Sequence, residues 1–240
     1  MRDATRRAVV WEALRALLAG RTAATGRDTL HIVDAGGGTG GFAVPLATLG
    51  HVVTVVDPTP DSLAALERRA AETGVGVKGL QGDAADLGDL IEPGSADLVL
   101  CHSVLEYVED PAGALGAVHG VLRPGGAVSV LAANSVAAAL HRSLAGHFDE
   151  ARRVLSDPAG RWGDRDPTPR RFSRETLSAL LEAAGFSVGD VHGVRIFADL
   201  VPGMLAESDP DGLAALERAA ATHPVLRDVA TQIHVIAHRE

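Results

Sequence analysis

From Thr29 onward, short β-branched runs alternate with Ala-, Leu- and Glu-rich stretches, and no other feature restricts the fold of this chain so tightly. His31–Asp34, Val52–Asp57, Val75–Gly79, Ala96–Cys101 and Ala127–Leu131 read as strands. Phe42–Thr48, Pro60–Glu72 and Ala112–Val121 read as helices between them. Strands joined through helices of this length form βαβ units, which means a mainly parallel sheet covered by helices on both faces. The alternation lapses after Asn134. Residues 135–171 hold a short helix and then an Asp/Arg/Pro/Gly-rich stretch, Asp157 to Arg171, read as an insertion over the sheet. The pattern resumes with a helix (Ser173–Ala184), a strand (Phe186–Arg195), a helix (Asp211–Ala221) and a strand (Gln232–Ala237). Ahead of it, Thr5–Leu18 carries Ala8, Val9, Trp11, Leu14 and Leu17–Leu18 at helical spacing. The expectation is one α/β domain over residues 1–240, with a cap-like insertion at about 135–171.

Composition narrows the function classes. Aromatic residues are 3% of the 240, so the core must be built from Ala, Val and Leu. Runs such as Leu98–Cys101 and Ala127–Ala133 are far too short to cross a bilayer, and Met1-Arg2-Asp3 does not open a secretory signal. Cys101 is the single cysteine, which excludes an internal disulfide or a cysteine-based zinc cluster and fits a reducing, cytoplasmic setting. The ten histidines lack metal-ligand spacing, so no metal is expected. A net charge of −9 argues against non-specific nucleic-acid binding. One local exception is arginine-rich: Arg142, Arg152, Arg153, Arg161, Arg165, Arg170, Arg171 and Arg174 are interspersed with Asp149, Asp157, Asp164 and Asp166. It reads equally as a phosphate-binding patch or as an internally paired surface.

The turn after the first strand is Asp34-Ala35-Gly36-Gly37-Gly38-Thr39-Gly40-Gly41. Glycines between a strand and a helix let a ligand approach the main chain and its N–H groups closely. Gly36, Gly38 and Gly41 satisfy G-x-G-x-x-G, which alone does not separate a dinucleotide from other nucleosides. Asp57 closes the second strand at the distance expected of a ribose-binding carboxylate.

Four motifs, in order across Ile32–Ala133, resemble those of class I methyltransferases that use S-adenosylmethionine (SAM). They are the acidic glycine turn Asp34–Gly40, Gly82-Asp83-Ala84, Leu98–Val108, and Leu122-Arg123-Pro124-Gly125-Gly126. A dehydrogenase would need a second nucleotide-binding half and a nicotinamide pocket, and Leu122–Gly126 supplies neither. The resemblance implies a Rossmann-like, doubly wound, seven-stranded sheet with the last strand antiparallel. It implies SAM as cofactor, contacted by Arg6, Asp34, Gly36, Gly37, Gly38, Asp57, Asp83, Ala84 and His102. In that picture Arg6 meets the methionine carboxylate, Asp57 the ribose, and Asp83 and Ala84 border the adenine. The segment before Arg6 is shorter than the family's, so either part of a lid is missing or the start is internal. A narrower likeness, to the bacterial tRNA uridine-5-oxyacetate carboxyl methyltransferases, rests on Asn134-Ser135, Leu144–Asp149, Arg165-Asp166-Pro167, Leu181–Phe186 and Gly193–Asp199. It implies esterification of a carboxylate on a modified wobble uridine. The stretch Arg152–Arg171 departs from an RNA-binding pattern, having Asp and Arg but no lysine cluster.

A carboxylate acceptor is ionised at neutral pH and needs no base, since its pKa lies near ~4. A hydroxyl or amine acceptor would need one within reach, and His102, Glu106, His141 and His147 are candidates. For a carboxylate the natural partner is a guanidinium that grips it bidentately, and Arg195 is preferred. Tyr107, Asn134 and His141 complete the acceptor-site candidates. Three functions stay open: a carboxyl methyltransferase acting on tRNA or a small acid, a small-molecule O- or N-methyltransferase, and a SAM-binding protein without turnover.

Overall fold

The computed structural model describes residues 2–240, with side chains from Ala8 onward. Helix α1 (Arg2–Thr25) runs longer than Thr5–Leu18 because nothing breaks it before Gly26, which stands at φ 65°. Then follow β1 (His31–Ala35), α2 (Ala43–Thr48), β2 (Val52–Asp57) and α3 (Pro60–Thr73). Strand β3 (Lys78–Gln81) starts three residues later than the sequence suggests. Val75 is taken by the end of α3: its N–H donates to Ala70 O at 3.0 Å, beside Gly74 in the left-handed cap. A 3₁₀ turn (Ala84–Asp86) and α4 (Leu87–Leu90) precede β4 (Ala96–His102), α5 (Pro111–Val121) and β5 (Leu122–Ala133). The 135–171 segment contributes α6 (Ser135–Leu144) and α7 (Phe148–Ser156) before its irregular part. The chain closes with α8 (Arg174–Ala183), β6 (Phe186–Val194), α9 (Gly203–Ser208), α10 (Pro210–Ala220) and β7 (Gln232–Arg239).

The sheet has seven strands in the order β3-β2-β1-β4-β5-β7-β6, with the last strand antiparallel. Strand β1 pairs in parallel with β2 on one side (Val33 beside Thr54) and with β4 on the other (Val33 beside Val99). The strand order therefore reverses at β1. Beyond the carboxyl ends of β1 and β4 lies the crevice where open α/β sheets bind ligands.

Two compact units are distinguished. The first comprises Leu18–Val130, Leu180–Gly189 and Ile236–Glu240. Its core holds Leu30, Ile32, Leu46, Leu66, Leu98, Leu100 and Leu115, all fully buried. At its base Asp97, with no exposed surface, pairs with Arg27 and with Arg123 at 3.2 Å, and accepts the His31 N–H at 2.9 Å. Burial would raise this carboxyl, but Arg27, the His31 N–H and Arg123 together hold it below the usual range. The second unit comprises residues up to Leu17, Leu131–Ala179 and Asp190–Val235, and Ile196, Ala220 and Ala230 form a buried cluster within it. Among the described residues no helix is long and apolar enough to cross a membrane, and no group of His, Cys, Asp or Glu side chains is placed to hold a metal ion.

Candidate active site

In the first unit, the turn leaving β1 is shaped by what glycine lacks. Gly36 is left-handed (φ 70°), and a Cβ there would overlap Val104 Cγ2. A Cβ on Gly37 would lie 2.6 Å from the Asp34 carboxyl. The turn is tied to β2 at both levels: Gly36 N–H donates to Val56 O at 2.7 Å, and Gly38 N–H donates to Asp57 Oδ2 at 2.9 Å. Thr59 N–H donates to the other oxygen, Oδ1, also at 2.9 Å. Asp57 is thus fixed at the end of β2, and each oxygen keeps lone-pair capacity for a further donor.

Asp34 is 3% exposed. Burial, and then the charge of Asp57, push its carboxyl up to about 7. Asp83 precedes the 3₁₀ turn and donates its N–H to Asp86 Oδ2 at 3.0 Å, while Ala84 is buried. His102, half-buried at the end of β4, makes a 2.8 Å hydrogen bond through Nε2 with Ser129 Oγ and meets the Phe42 ring edge-on at 4.8 Å. Burial pushes its imidazole down to about 3, so it is neutral at working pH and a poor base. The neighbouring Cys101 thiol is pushed up by burial and is inert. Tyr107 stands out from the surface, 63% exposed. Arg6 falls within α1, and its side chain lies outside the described residues.

This part of the unit fits a cationic nucleoside. It offers a glycine turn in which a Cβ on Gly38 would meet nothing nearer than Asp57 at 3.9 Å, a buried acid poised to ionise, and a second carboxylate suited to a ribose diol.

The other acceptor-site candidates lie in the second unit. Asn134 and His141 line a pocket of about 350 Å³ together with Arg142, Trp162, Arg171 and Thr231. Asn134 does not present its amide to a ligand as the sequence suggests, for it is 2% exposed and largely engaged. Its Oδ1 accepts from Val136 N–H and caps α6, and its Nδ2 donates to Asp228 O and Ala230 O at 2.9 and 2.8 Å. The pocket wall is riveted from behind by Asp166. That carboxylate receives both terminal nitrogens of Arg171 (2.6 and 2.9 Å) and the N–H groups of Trp162 and Thr168.

Arg195 is not part of the pocket lining, nor does it end a strand, since β6 stops at Val194. It stands in the left-handed region (φ 63°), and its guanidinium pairs with Asp199 at 2.5 Å. Asp199 also accepts from the hydroxyl of Thr231, a pocket residue, at 2.8 Å. The following turn is held by Glu217, 1% exposed, whose carboxylate accepts the N–H groups of Ile196, Phe197 and Ala198 at 2.7–2.9 Å. Within the arginine-rich stretch Arg142 pairs with Glu150, Arg152 with Asp149 and Arg171 with Asp166, and Arg174 pairs with Asp228 beyond it.

Trp162, Thr231 and Glu217 escape the sequence reading. A tryptophan inside an Asp/Arg/Gly stretch of a chain with so few aromatics is the signal that could have found the first. The glutamate within Ala-rich α10 carries no such mark.

Comparison with known proteins agrees with this geometry. The methyltransferase domain family matches residues 33–130. The tRNA 5-carboxymethoxyuridine methyltransferase of Escherichia coli (strain K12) is 33% identical over 196 residues, 81% of this chain and 72% of that one. A ubiquinone biosynthesis O-methyltransferase of Methylocella silvestris is 32% identical over 193 residues, 77% of this chain and 68% of that one. Among solved structures, an S-adenosylmethionine-dependent methyltransferase from Mesorhizobium loti superposes over 100% of both chains, with a TM-score of 0.62 at 22% identity, a likeness of fold.

Proposed function

The chain belongs to the SAM-dependent methyltransferases, and from that premise we propose that it esterifies a carboxylate carried on a modified tRNA uridine. What supports the reading is the similarity to the tRNA methyltransferase, which at 33% identity spans 196 residues, about twice the length of the 33–130 core. A second observation favours it: His102, the imidazole beside the glycine turn, is held neutral and weakly basic, which suits an acceptor that arrives already anionic.

SAM supplies an electrophilic methyl on a sulfonium. The chain's own residues have the tasks of binding, orientation and exclusion of water. Asp57 takes the ribose hydroxyls through its remaining lone pairs, Asp34 faces the cationic part of the cofactor, and Asp83 and Ala84 border the adenine. We read residues 1–240 as one catalytic domain in which 135–171 is the insertion that shapes the acceptor side, acting in the cytoplasm where tRNA is modified. The O-methyltransferase relative supports a second reading, a small phenol-like acceptor.

Labelled SAM and tRNA bearing 5-carboxymethoxyuridine test the choice. With SAM saturating at every pH, the expected product is a base-labile methyl ester on the tRNA, formed at a rate that stays level from about pH 6 to 9 because the acceptor has no proton to lose there. Base-stable label, or a steep rise in rate with pH, overturns the carboxylate reading.

A further inference from the structure

The pocket described above, bounded by α6 and the 157–171 loop, has a lining with an uncommon chemical bias. The Arg142 guanidinium stacks over the Trp162 ring, 4.0 Å from its centroid, so two flat surfaces are held together there. Polar groups on the lining that can donate to a ligand include the Arg142 guanidinium, the His141 ring and the Thr168 hydroxyl, whereas both terminal nitrogens of Arg171 are taken by Asp166. Among the described residues that line it none is acidic; the carboxylates that neutralise Arg142 and Arg171, Glu150 and Asp166, are not part of the lining. The rest of the surface is small and apolar, formed by alanines of α6 and its flanks. Its volume, about 350 Å³, far exceeds what one structural water needs and is at the low end of small-ligand sites, roughly 300–1,000 Å³. That is room for one substituted ring and not for a length of strand.

We infer that this pocket receives the methyl acceptor as a single flat ring with oxygen acceptors and an anionic substituent, laid against the Arg142–Trp162 pair. The inference rests on the methyltransferase reading above and deepens it. The stacked pair recognises the ring face, and the guanidinium and imidazole edges recognise its oxygens. Asp166 is the positioning residue of the site. By holding Arg171 and the backbone of Trp162 and Thr168 it fixes an otherwise irregular loop around the ligand. The rivet accounts for one Asp/Arg pair of the insertion: Arg171 and Asp166 build the wall of the pocket.

The chain contains two tryptophans, so Trp11→Phe leaves Trp162 as sole reporter. With that protein saturated in S-adenosylhomocysteine, the probes are 5-carboxymethoxyuridine, uridine, methoxyacetate and an anticodon stem–loop carrying the modified base. Saturable quenching by the first, at least tenfold weaker by uridine and absent with methoxyacetate, is expected. Quenching by the stem–loop but not by the free nucleoside also supports the site and identifies RNA as the carrier of the ring. No quenching by any ring-bearing probe overturns the pocket, and if that same protein methylates tRNA the functional reading survives its loss. Conversely, quenching without methylation of tRNA keeps the pocket and removes tRNA as acceptor. In parallel, Trp162→Leu and Arg142→Gln should each raise the acceptor KM at least tenfold with the dissociation constant for S-adenosylhomocysteine unchanged. An unchanged KM in both variants overturns the inference.

Discussion

Binding of SAM should expel a proton from this protein, and Asp34 is the group that loses it. In the ligand-free site, burial and then Asp57 raise its carboxyl from 3.8 to about 7. SAM brings an ammonium and a sulfonium, and positive charge beside a buried carboxyl favours the ionised form. Protons released on binding therefore follow the ligand-free protonation of Asp34: about 0.9 per site at pH 6, about half at pH 7 and a few hundredths at pH 8.5. Below about pH 7 the apparent affinity should fall about tenfold per pH unit, and above it should level off. Calorimetry in buffers of differing ionisation enthalpy reads the proton count directly.

Two variants separate the causes. Asp34→Asn should abolish the proton release, and Asp57→Asn should move it to lower pH, since it removes the lesser of the two contributions. Absence of proton release at pH 6, or equal release from Asp34→Asn, refutes the reasoning. The sign for stability is the opposite of a salt-bridged acid's. A carboxyl raised in the folded state stabilises the fold below its ordinary pKa, and this contribution is lost as pH rises through about 7. The displacement corresponds to about 4 kcal/mol, so denaturation of ligand-free protein at several pH values should show a decline between about pH 4 and 7 that Asp34→Asn removes.

The remaining predictions read the fit of particular atoms. Gly37→Ala brings a methyl against the Asp34 carboxyl and should cost about 1–3 kcal/mol of stability and most SAM affinity, measured by thermal melts with and without cofactor. Asp97→Asn leaves Arg27 and Arg123 around a neutral, buried amide and should lower stability by about 3–5 kcal/mol in urea titrations, without changing the Trp162 response to ligand. Asp57→Asn turns one fixed acceptor into a donor facing another N–H, and should weaken SAM by about 1.5–3 kcal/mol by calorimetry near pH 8.5, where Asp34 no longer takes part.

The turn after β1 is legible in the sequence because strand, glycines and carboxylate follow a fixed pattern. Asp34 to Gly41 and Asp57 at the next strand's end form that pattern, and the bonds from Gly36 N–H to Val56 O and from Gly38 N–H to the Asp57 carboxylate tie its two parts together. The seven strands were legible for the same reason, and the boundary errors have local causes, as at Val75, which closes α3 instead of opening β3. The acceptor side was not legible. Asn134 was noticed for its place after β5, but its bonds run to Asp228 and Ala230, about ninety-five residues away, and nothing near it in sequence announces that. Glu217 likewise acts on backbone groups 19–21 residues before it. Arg195 reads in sequence as the end of a strand, whereas its partner Asp199 lies four residues on, one turn of chain that a strand assignment hides.

Arg195 also poses an energetic question that a mutation can answer. Left-handed backbone costs a residue with a Cβ about 1–2 kcal/mol, and glycine avoids this cost at a penalty of about 0.5–1 kcal/mol in unfolded-chain entropy. Glycine should therefore suit position 195 at least as well, were the backbone all that mattered. The turn is instead maintained by a buried glutamate accepting three N–H groups, with the arginine's charge answered by Asp199 and, through Asp199, linked to Thr231 in the pocket wall. Strain kept in this way is the reason to test whether the side chain serves the reaction. Arg195→Ala retains the strain and loses the ion pair, so it should be less stable than Arg195→Gly by about 1 kcal/mol. Both should lose acceptor turnover alike while binding S-adenosylhomocysteine as the parent does. If Arg195→Gly methylates tRNA at the parental rate, the ion pair is structural and the strained arginine belongs to the fold, not to the reaction.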